Sequence, residues 1–243
     1  METWATTHIG RVRRQNQDRF LVHAGRDAAG PWTILAVADG LGGVGQTAGE
    51  EAAAAAVQAL ADFRPPALEP PAVEWALEAL VRELDSRLLA RGQETPREEA
   101  VSTTLTAVVL RGQIATWVHV GDSRLYCLSR DRLWQVTTDH NEAQEMVLQG
   151  LMTPEEAAIS PARQILARAV GCPDCLPDTG SFPVAAGDLL LLCSDGLAGA
   201  MDRQRLAAIL AKPDPLAALA DELVQAALAV GGRDNITVVL ARL

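Results

Sequence analysis

The sequence lacks any apolar run that approaches the ~18 residues expected of a membrane-spanning helix. Its opening stretch, METWATTHIGRVRR, has no apolar segment after its charges, so a secretory signal is not predicted. The chain also shows no internal repeat and no low-complexity linker. These absences argue against membrane-spanning, secreted and repeat proteins, and they favour a cytoplasmic globular protein.

Positive charge is in deficit. The chain has 31 acidic and 21 basic residues, a formal net charge of -10 that would repel nucleic acid phosphates. The acidity suits a site that collects divalent cations, although solubility alone also explains it. With 49% hydrophobic and 21% charged residues, the 243-residue chain has a globular balance and fits one sizeable domain or two small ones.

Cysteine is also scarce, which argues against a secreted disulfide framework. Cys172 and Cys175 form a Cys-x-x-Cys pair, a weak indication of a metal or redox site without a second pair or nearby histidines. We interpret the pair as free thiols in a loop. A further hypothesis is that their oxidation restrains the segment 141–170 that precedes them.

Periodicity and punctuation predict alternating sheets and helices. Strands are predicted at 18–24, 31–39, 102–110, 114–120, 124–128, 133–137, 188–194 and 236–240. Helices are predicted at 47–63 behind a Thr47–Glu50 capping box, at 72–90, and after Asp202 and Asp214-Pro215, with Pro215 at the first helical position. The segment 141–170 is polar and helical in pieces, and we expect it to move over a site. Successive strands with short turns favour antiparallel sheets with helices outside.

Aspartates recur at the ends of the apolar strands. Asp39, Asp122 and Asp195 each end a strand, and Asp18 and Asp234 each stand directly before one. For any single residue a turn is the ordinary interpretation, because aspartate is disfavoured inside strands. Several of these strands are apolar enough to lie within a sheet, where a desolvated carboxylate needs a positive partner. Taken together, the five aspartates indicate a cation site.

The chain supplies few cationic partners for these carboxylates. Arginines stand beside three of them, but Asp39 and Asp195 are each followed by glycine. Oxygen ligands select hard ions, so Mg²⁺ or Mn²⁺ is favoured over Zn²⁺, while Ca²⁺ stays open. Gly40 allows a sharp turn beside Asp39, and its carbonyl is a candidate ligand, although a simple tight turn explains it equally.

A competing motif occupies the same loop. Residues 40–45 match GxGxxG between a strand and a helix, the pattern of dinucleotide-binding enzymes. Asp39 at the loop entrance would repel a pyrophosphate. The next helix leads into Arg64-Pro65-Pro66, not into a second strand ending in an acidic residue. These two features argue against a dinucleotide-binding enzyme, which stays the less favoured alternative.

A series of short motifs, in this order, resembles the metal-dependent protein phosphatases of the PPM (type 2C) family in their compact bacterial form. The motifs are Gly10–Asp18, Val37–Gly43, Ser102–Thr106, Val120–Arg124, Thr138–His140, Cys193–Leu197 and Gly232–Asn235. The resemblance implies an α+β fold, a four-layer α-β-β-α sandwich of two mainly antiparallel sheets. It also implies one catalytic domain over 1–243, with a flap at about 141–170 that influences substrate access.

The resemblance also implies the ligands of two Mg²⁺ or Mn²⁺ ions. One ion would be held by Asp39, Asp195 and Asp234. The second would be held by Asp39 and the Gly40 carbonyl, with Asp18 acting near it through water. Asp39 would thus bridge the two ions.

A third, weaker ion is implied at Asp122 together with Asp195. Two departures from the family pattern stand out. Gln17 replaces a glutamate found in many relatives, so its contribution to the second ion is neutral. Leu41 replaces a histidine that is proposed as general acid in many eukaryotic relatives, which leaves that role unassigned. His140 is expected to be structural.

The implied reaction is hydrolysis of phosphoserine and phosphothreonine on proteins by a metal-activated water. Arg13 is the expected phosphate-binding residue because its planar fork binds two phosphate oxygens, although a solvated charge beside Arg11 and Arg14 is the alternative. The expected partners are phosphoprotein substrates of a cognate Ser/Thr kinase, with no nucleic acid and no membrane. An inactive phosphoprotein-binding module of the same fold stays an alternative, although the full set of aspartates argues against it. Oligomeric state is left open.

Overall fold

Two β-sheets form the centre of the fold in the computed structural model, which describes residues 1–42, 47–94, 101–173 and 175–243. The first sheet has the strand order β1 (Glu2–His8), β11 (Ile236–Arg242), β10 (Leu189–Cys193), β7 (Arg124–Ser129) and β8 (Arg132–Gln135). The second has the order β2 (Asp18–Asp27), β3 (Gly30–Leu41), β5 (Leu105–Arg111), β6 (Ile114–Val120) and β9 (Asp178–Pro183), and the short β4 (Ser102–Thr103) pairs with β3.

Every strand pair within these described ranges is antiparallel. A dinucleotide-binding fold places its glycine-rich loop at the end of a parallel strand, so the dinucleotide alternative is wrong. The loop itself lies outside the described residues beyond Gly42.

Helices cover the outer faces of both sheets. The second sheet packs against α1 (Ala48–Asp62) and α2 (Pro70–Glu94), and the first packs against α5 (Asp195–Ala198), α6 (Arg203–Leu210) and α7 (Leu216–Ala229). Between β8 and β9 lie α3 (Glu142–Leu148), α4 (Pro154–Ile159) and the 3-10 helix Pro161–Gln164. The four-layer α-β-β-α sandwich that the family resemblance implies is confirmed.

The apolar run of β3 shows why the sheets are stacked. Ile34 and Ala36 pack towards α1 and α2, whereas Leu35 and Val37 pack towards the other sheet. A strand covered on both faces is apolar at successive positions instead of alternating. Burying a side chain such as Leu35 contributes about 1.5–3 kcal/mol, so the two-sided strand fixes the position of the Asp39 that follows.

Most predicted elements are present, with local differences. Asp202 caps α6 as predicted, accepting a 2.8 Å bond from the Arg205 amide. The Thr47 capping box is wrong, because Thr47 is helical (φ -89°, ψ -10°) and its side chain makes no capping hydrogen bond. Pro215 is the N-cap of α7 and not its first helical residue. The predicted strand 102–110 is broken at Thr104, which turns towards the site described below.

The segment 141–170 is helical in pieces, as predicted. Thr153 and Glu156 form a capping box at the start of α4. Backbone bridges join Asn141 to Leu166 and Thr103 to Val170, which tie the segment to itself and to the second sheet. No helix in the described part of the chain has the length and apolarity to span a membrane.

Candidate metal centre

The strand-end aspartates from both sheets contribute to one end of the sandwich. Asp18 and Asp39 are direct register partners on β2 and β3. Asp195 is the first residue of α5, directly behind β10, and Asp234 stands two residues before β11. Because β10 and β11 are antiparallel neighbours, the end of one and the start of the other meet at the same edge. Asp122 follows β6 by two residues.

Asp39 lies at the electrostatic centre of this group. Burial raises its pKa well above the ordinary value, and the nearby charges of Asp18, Asp195, Asp122 and Asp234 raise it further. The four other aspartates predicted as ligands therefore all act on one carboxyl group. A site of this kind carries excess negative charge and is stabilised by bound cations.

Asp18 is a buried carboxylate held from one side only. Its Oδ2 accepts hydrogen bonds from Ser194 Oγ at 2.7 Å and Thr237 Oγ1 at 2.6 Å. Its Oδ1 is buried and has no hydrogen-bond partner among the described residues. Burial raises the pKa of Asp18 to about 6, although the two hydroxyl bonds oppose that shift. The two hydroxyls orient the carboxylate and leave the other oxygen available.

Asp195 also carries a buried oxygen, Oδ1, which accepts no hydrogen bond from the part of the chain that the structure describes. Burial and then the charge of Asp234 raise its pKa, whereas a hydrogen bond with Asp39 lowers it. The next residue must be glycine, because a Cβ on Gly196 would overlap the carbonyl oxygen of Asn235. This close approach brings the start of α5 against the loop that carries Asp234.

Arg13 pairs with a predicted metal ligand. Its Nη2 donates to Asp234 Oδ2 at 2.6 Å, while the amide of Asn235 donates to Asp234 Oδ1 at 2.8 Å. Asn235 also donates to the carbonyls of Ile9 and Gln15, both at 2.9 Å, and thereby secures the loop that carries Arg13. The sequence argument assigned no role to Asn235.

Asp122 is a predicted ligand of the third, weaker metal ion. Burial raises the pKa of Asp122 to about 8, and the charges of Asp195 and Asp139 act in the same direction. Arg124, two residues away, is committed elsewhere: its Nε and Nη2 donate to the two carboxylate oxygens of Asp139 at 2.8 and 2.7 Å. Among the described residues Asp122 therefore has no ion pair, although the charge of Arg124 opposes the rise in its pKa.

His140 holds the loop before Asp122. Its backbone amide donates to the Gly121 carbonyl at 2.7 Å, and its Nδ1 accepts from the Gly121 amide at 3.2 Å. Gly121 has a φ of +109°, a conformation that favours glycine. These contacts agree with the structural role expected of His140.

Thr104 joins the Asp39 strand to the Asp122 loop. Its Oγ1 accepts from the Asp39 amide at 3.0 Å and pairs with Ser123 Oγ at 2.8 Å. Its amide donates to the Asp39 carbonyl at 2.8 Å. The sequence argument missed this role, since threonine in an apolar run is typical of any strand.

Gly40 is required by packing as well. A Cβ there would overlap the carbonyl oxygen of Gly49 in α1. The proposed metal contact of its carbonyl stays a prediction.

The donor set fits a hard divalent cation. Buried carboxylate oxygens without partners are costly, so the Oδ1 atoms of Asp18 and Asp195 need a donor or a cation. All the donors are oxygens, which suits Mg²⁺ or Mn²⁺. Within the described ranges no group of three or more His, Cys, Asp or Glu side chains is arranged so that it could hold a metal ion. Which carboxylates hold which ion therefore stays a prediction.

Comparison with known proteins decides the family. Residues 6–240 match the protein phosphatase 2C family. The chain belongs to the protein phosphatase 2C family. It is 38% identical over 238 residues to the serine/threonine protein phosphatase PstP of Mycobacterium tuberculosis, and the match covers 98% of this chain but 44% of PstP. The chain thus spans less than half the length of that relative.

Solved structures of bacterial serine/threonine phosphatases share the fold over nearly the whole chain. The S. agalactiae serine/threonine phosphatase superposes with a TM-score of 0.88 at 30% identity, covering 98% of both chains. The catalytic domain of PstP in complex with two manganese ions superposes with a TM-score of 0.82 at 36% identity, covering 99% of this chain and 97% of that one.

A cleft of about 580 Å³ opens beside the carboxylates of this member of the protein phosphatase 2C family. Asp122, Asp195 and Asp234 line one part of it, and residues 159–164 of the 141–170 segment line another. The segment that the family resemblance identifies as a flap therefore borders the candidate metal centre.

The Cys-x-x-Cys pair lies after this segment. Cys172 and Cys175 are both free thiols, and Asp174 between them lies outside the described residues. Burial raises the pKa of Cys175 to about 12, and the charge of Asp85 acts in the same direction. A protonated thiol reacts slowly, so oxidation of this pair stays a hypothesis without structural support.

Proposed function

We propose that the chain is a Mg²⁺- or Mn²⁺-dependent protein phosphatase that hydrolyses phosphoserine and phosphothreonine on proteins. The observation that carries the proposal is the position of Asp39, on which four further aspartates act together. Membership of the protein phosphatase 2C family, and a relative that binds two manganese ions, support the same activity.

Asp39 is the proposed bridging ligand. Asp195 and Asp234 would complete the ligand set of the first ion. The Gly40 carbonyl would complete that of the second ion, and Asp18 would act near the second ion through a water molecule. When bound, the ions supply Lewis acidity that activates a water and offsets phosphate charge. The chain's own contribution is to hold these carboxylates in place, through Ser194 and Thr237 on Asp18 among others.

Asp122 and Asp195 are the proposed ligands of a third, weaker ion. Its site would lie in the cleft, which both residues line. Thr104 connects this loop to Asp39 through Ser123, so the weaker site and the core site are supported by the same hydroxyl chain. No residue is assigned as general acid.

Arg13 is the proposed phosphate-binding residue. Its guanidinium lies on Asp234, so a phosphate bound beside that ligand would lie next to it. The side chain of Arg13 remains 41% exposed, which leaves room for the other edge of its fork to bind phosphate oxygens.

We also propose that 1–243 is one catalytic domain whose segment 141–170 acts as a flap. The expected setting is cytoplasmic signal transduction, with substrates supplied by a cognate Ser/Thr kinase and no direct nucleic acid or membrane partner. The net charge of -10 supports the exclusion of nucleic acid.

The activity is tested by phosphate release after chelator treatment and addition of Mn²⁺ or Mg²⁺. Substrates are p-nitrophenyl phosphate and phosphoserine and phosphothreonine peptides. Metal-restored turnover that Asp39→Asn abolishes supports the proposal. Failure to hydrolyse any substrate, together with retained phosphopeptide binding, would instead identify an inactive binding module.

A further inference from the structure

The acidic residues that line the cleft would each be neutralised, by a bound cation or by an arginine. Three of its acidic residues, Asp122, Asp195 and Asp234, are proposed metal ligands whose charge bound cations would offset. A fourth, Asp139, is neutralised by its two-point pair with Arg124. Once the metal ions are bound, the negative side of the cleft is therefore compensated.

Two arginines in the lining form no ion pair with any carboxylate in the described ranges. Arg163, on the 3-10 helix of the 141–170 segment, donates to the carbonyl oxygens of Ala158 at 2.9 Å and Gly199 at 3.5 Å. Arg233, on the loop before β11, is exposed and makes no hydrogen bond or ion pair within the described ranges. Carbonyl bonds orient a guanidinium but leave its full positive charge in place.

The two arginines stand on different segments of the chain that line the same cavity. Arg163 lies near enough to the catalytic carboxylates for its charge to lower the pKa of Asp195, and Arg233 is the direct neighbour of Asp234. A cavity of about 580 Å³ holds a phosphorylated residue and parts of its neighbours. A peptide whose phosphate reaches the metal centre would therefore place its flanking side chains beside these guanidinium groups.

Guanidinium groups recognise carboxylates through paired N–H donors, more strongly where water is partly excluded. We propose that Arg163 and Arg233 select substrates with aspartate or glutamate next to the phosphorylated residue. This inference rests on the proposed phosphatase function and adds the chemical class of its substrates.

The test compares three phosphothreonine peptides that differ only in their flanking residues, which are glutamate, glutamine or lysine on both sides. With Mn²⁺ present, kcat/KM should decrease in that order. Each contact should contribute roughly 2–5-fold, as for partly exposed ion pairs. Rising salt should reduce the preference, because screening weakens exposed charge pairs.

The ratio of kcat/KM for the glutamate peptide to that for the glutamine peptide is the readout, since it cancels changes common to both substrates. Arg163→Gln and Arg233→Gln should each lower the ratio, and the double variant should bring it to about one. Arg132→Gln is the matched control. Arg132 is an exposed arginine on β8, the edge strand of the sheet that contains β11, and it does not line the cleft.

Binding provides a second readout. Fluorescence anisotropy with peptides carrying a phosphonate analogue, whose C–P bond resists hydrolysis, should show the same preference in Kd with Mn²⁺ present. Equal Kd values for the glutamate and glutamine peptides would contradict the inference.

Three kinetic outcomes would distinguish failure of the acidic-flank preference from failure of the proposed phosphatase function. Equal kcat/KM for the glutamate and glutamine peptides, or an unchanged ratio in the double variant, overturns the inference and leaves the phosphatase function intact. An equal loss on both peptides in Arg163→Gln would show that Arg163 only holds the 141–170 segment against Gly199, which also overturns it. Absence of any metal-dependent hydrolysis by the wild type would overturn the proposed function itself.

Discussion

Asp18 and Asp39 lie directly opposite each other on β2 and β3. Like charges at paired positions destabilise a sheet, and here the charge of Asp18 raises the pKa of Asp39 beyond the effect of burial. Ser194 and Thr237 donate to Asp18 and offset part of that cost. The pairing is consistent with a fold that accepts strain in one place in order to bind cations there.

Asp39→Asn should abolish metal-dependent phosphatase activity. Asparagine keeps the shape of the side chain but removes the charge at the point where the other four aspartates converge. The loss in kcat/KM should exceed the roughly 10–100-fold typical of an outer-shell partner. Phosphate release at saturating Mn²⁺ measures it.

Asp131→Asn is the control for that substitution. Asp131 is an exposed turn residue with a φ of +64°, a conformation that asparagine tolerates well. It should retain wild-type kinetics. Asp39→Asn with the same kcat/KM as Asp131→Asn would remove Asp39 from the mechanism.

The metal-free protein should lose stability as pH rises. The pKa values of Asp18 and Asp122 are about 6 and about 8, above their ordinary 3.8. Between about pH 4 and pH 8 the folded state therefore binds more protons than the unfolded chain, so the free energy of unfolding decreases across that window. Thermal unfolding in EDTA at several pH values measures the effect.

Added Mn²⁺ should reverse this trend, because cations replace the protons on these carboxylates. The increase in Tm on adding Mn²⁺ should be larger at about pH 8 than at about pH 5. Asp122→Asn should flatten the upper part of the EDTA profile, between about pH 6 and pH 8. A Tm in EDTA that rises over this window would contradict the assignment.

The strand-end aspartates could be found from sequence because apolar strands have clear ends and their carboxylates stand out there. The hydroxyls that hold them could not. Ser194 and Thr237 are 176 and 219 residues from Asp18 along the chain, and nothing in their local patterns indicates that contact. Thr104 likewise has the local sequence pattern of an ordinary strand residue.

Local element errors have the same origin. β1 was missed because Glu2–His8 is a half-polar edge strand without a long apolar run, and its place depends on pairing with β11 at the other end of the chain. The capping box predicted at Thr47 does not form, although its residue types fit. Thr47 has helical backbone angles, and its side chain does not cap helix α1. Tertiary pairing and backbone geometry decided both cases, not residue preference.

Thr104→Val should weaken the link between Asp39 and the Asp122 loop. Valine keeps the shape of the buried side chain but leaves the Asp39 amide and Ser123 Oγ without their partner. The cost in free energy of unfolding should be roughly 1–3 kcal/mol, with weaker Mn²⁺ binding. Urea unfolding and Mn²⁺ titration measure the two effects.

Thr104→Ser is the matched variant, since it keeps the hydroxyl and removes the methyl that packs on Gly121. It should retain Mn²⁺ affinity better than Thr104→Val. If both variants bound Mn²⁺ alike, the hydroxyl would have no part in the site.

Gly196→Ala should distort the metal centre. The added Cβ would overlap the carbonyl oxygen of Asn235, so the start of α5 must move, with Asp195 at its first position. Overpacking of this kind costs about 1–3 kcal/mol. Mn²⁺ affinity should fall together with the unfolding free energy.

Gly92→Ala serves as the contrasting substitution. Gly92 lies inside α2, where an added Cβ meets nothing within 4 Å. Alanine there should raise stability by up to about 1 kcal/mol and leave Mn²⁺ affinity unchanged. A Gly196→Ala protein as stable as Gly92→Ala would show that α5 accommodates the side chain.

Arg13→Ala should raise KM for phosphopeptides with a smaller effect on kcat, because a phosphate contact made in the bound substrate is lost in both states. The increase should be roughly 10-fold, the lower end for a charge-assisted pair, since the side chain is 41% exposed. Arg13→Lys keeps the charge without the fork and should fall between. Arg14→Ala, which removes a neighbouring exposed arginine, is the control.

Arg13 also occupies Asp234 Oδ2, so its removal should leave Mn²⁺ affinity equal or tighter. Loss of Mn²⁺ binding in Arg13→Ala, with KM unchanged, would show that Arg13 supports the ligand and not the substrate.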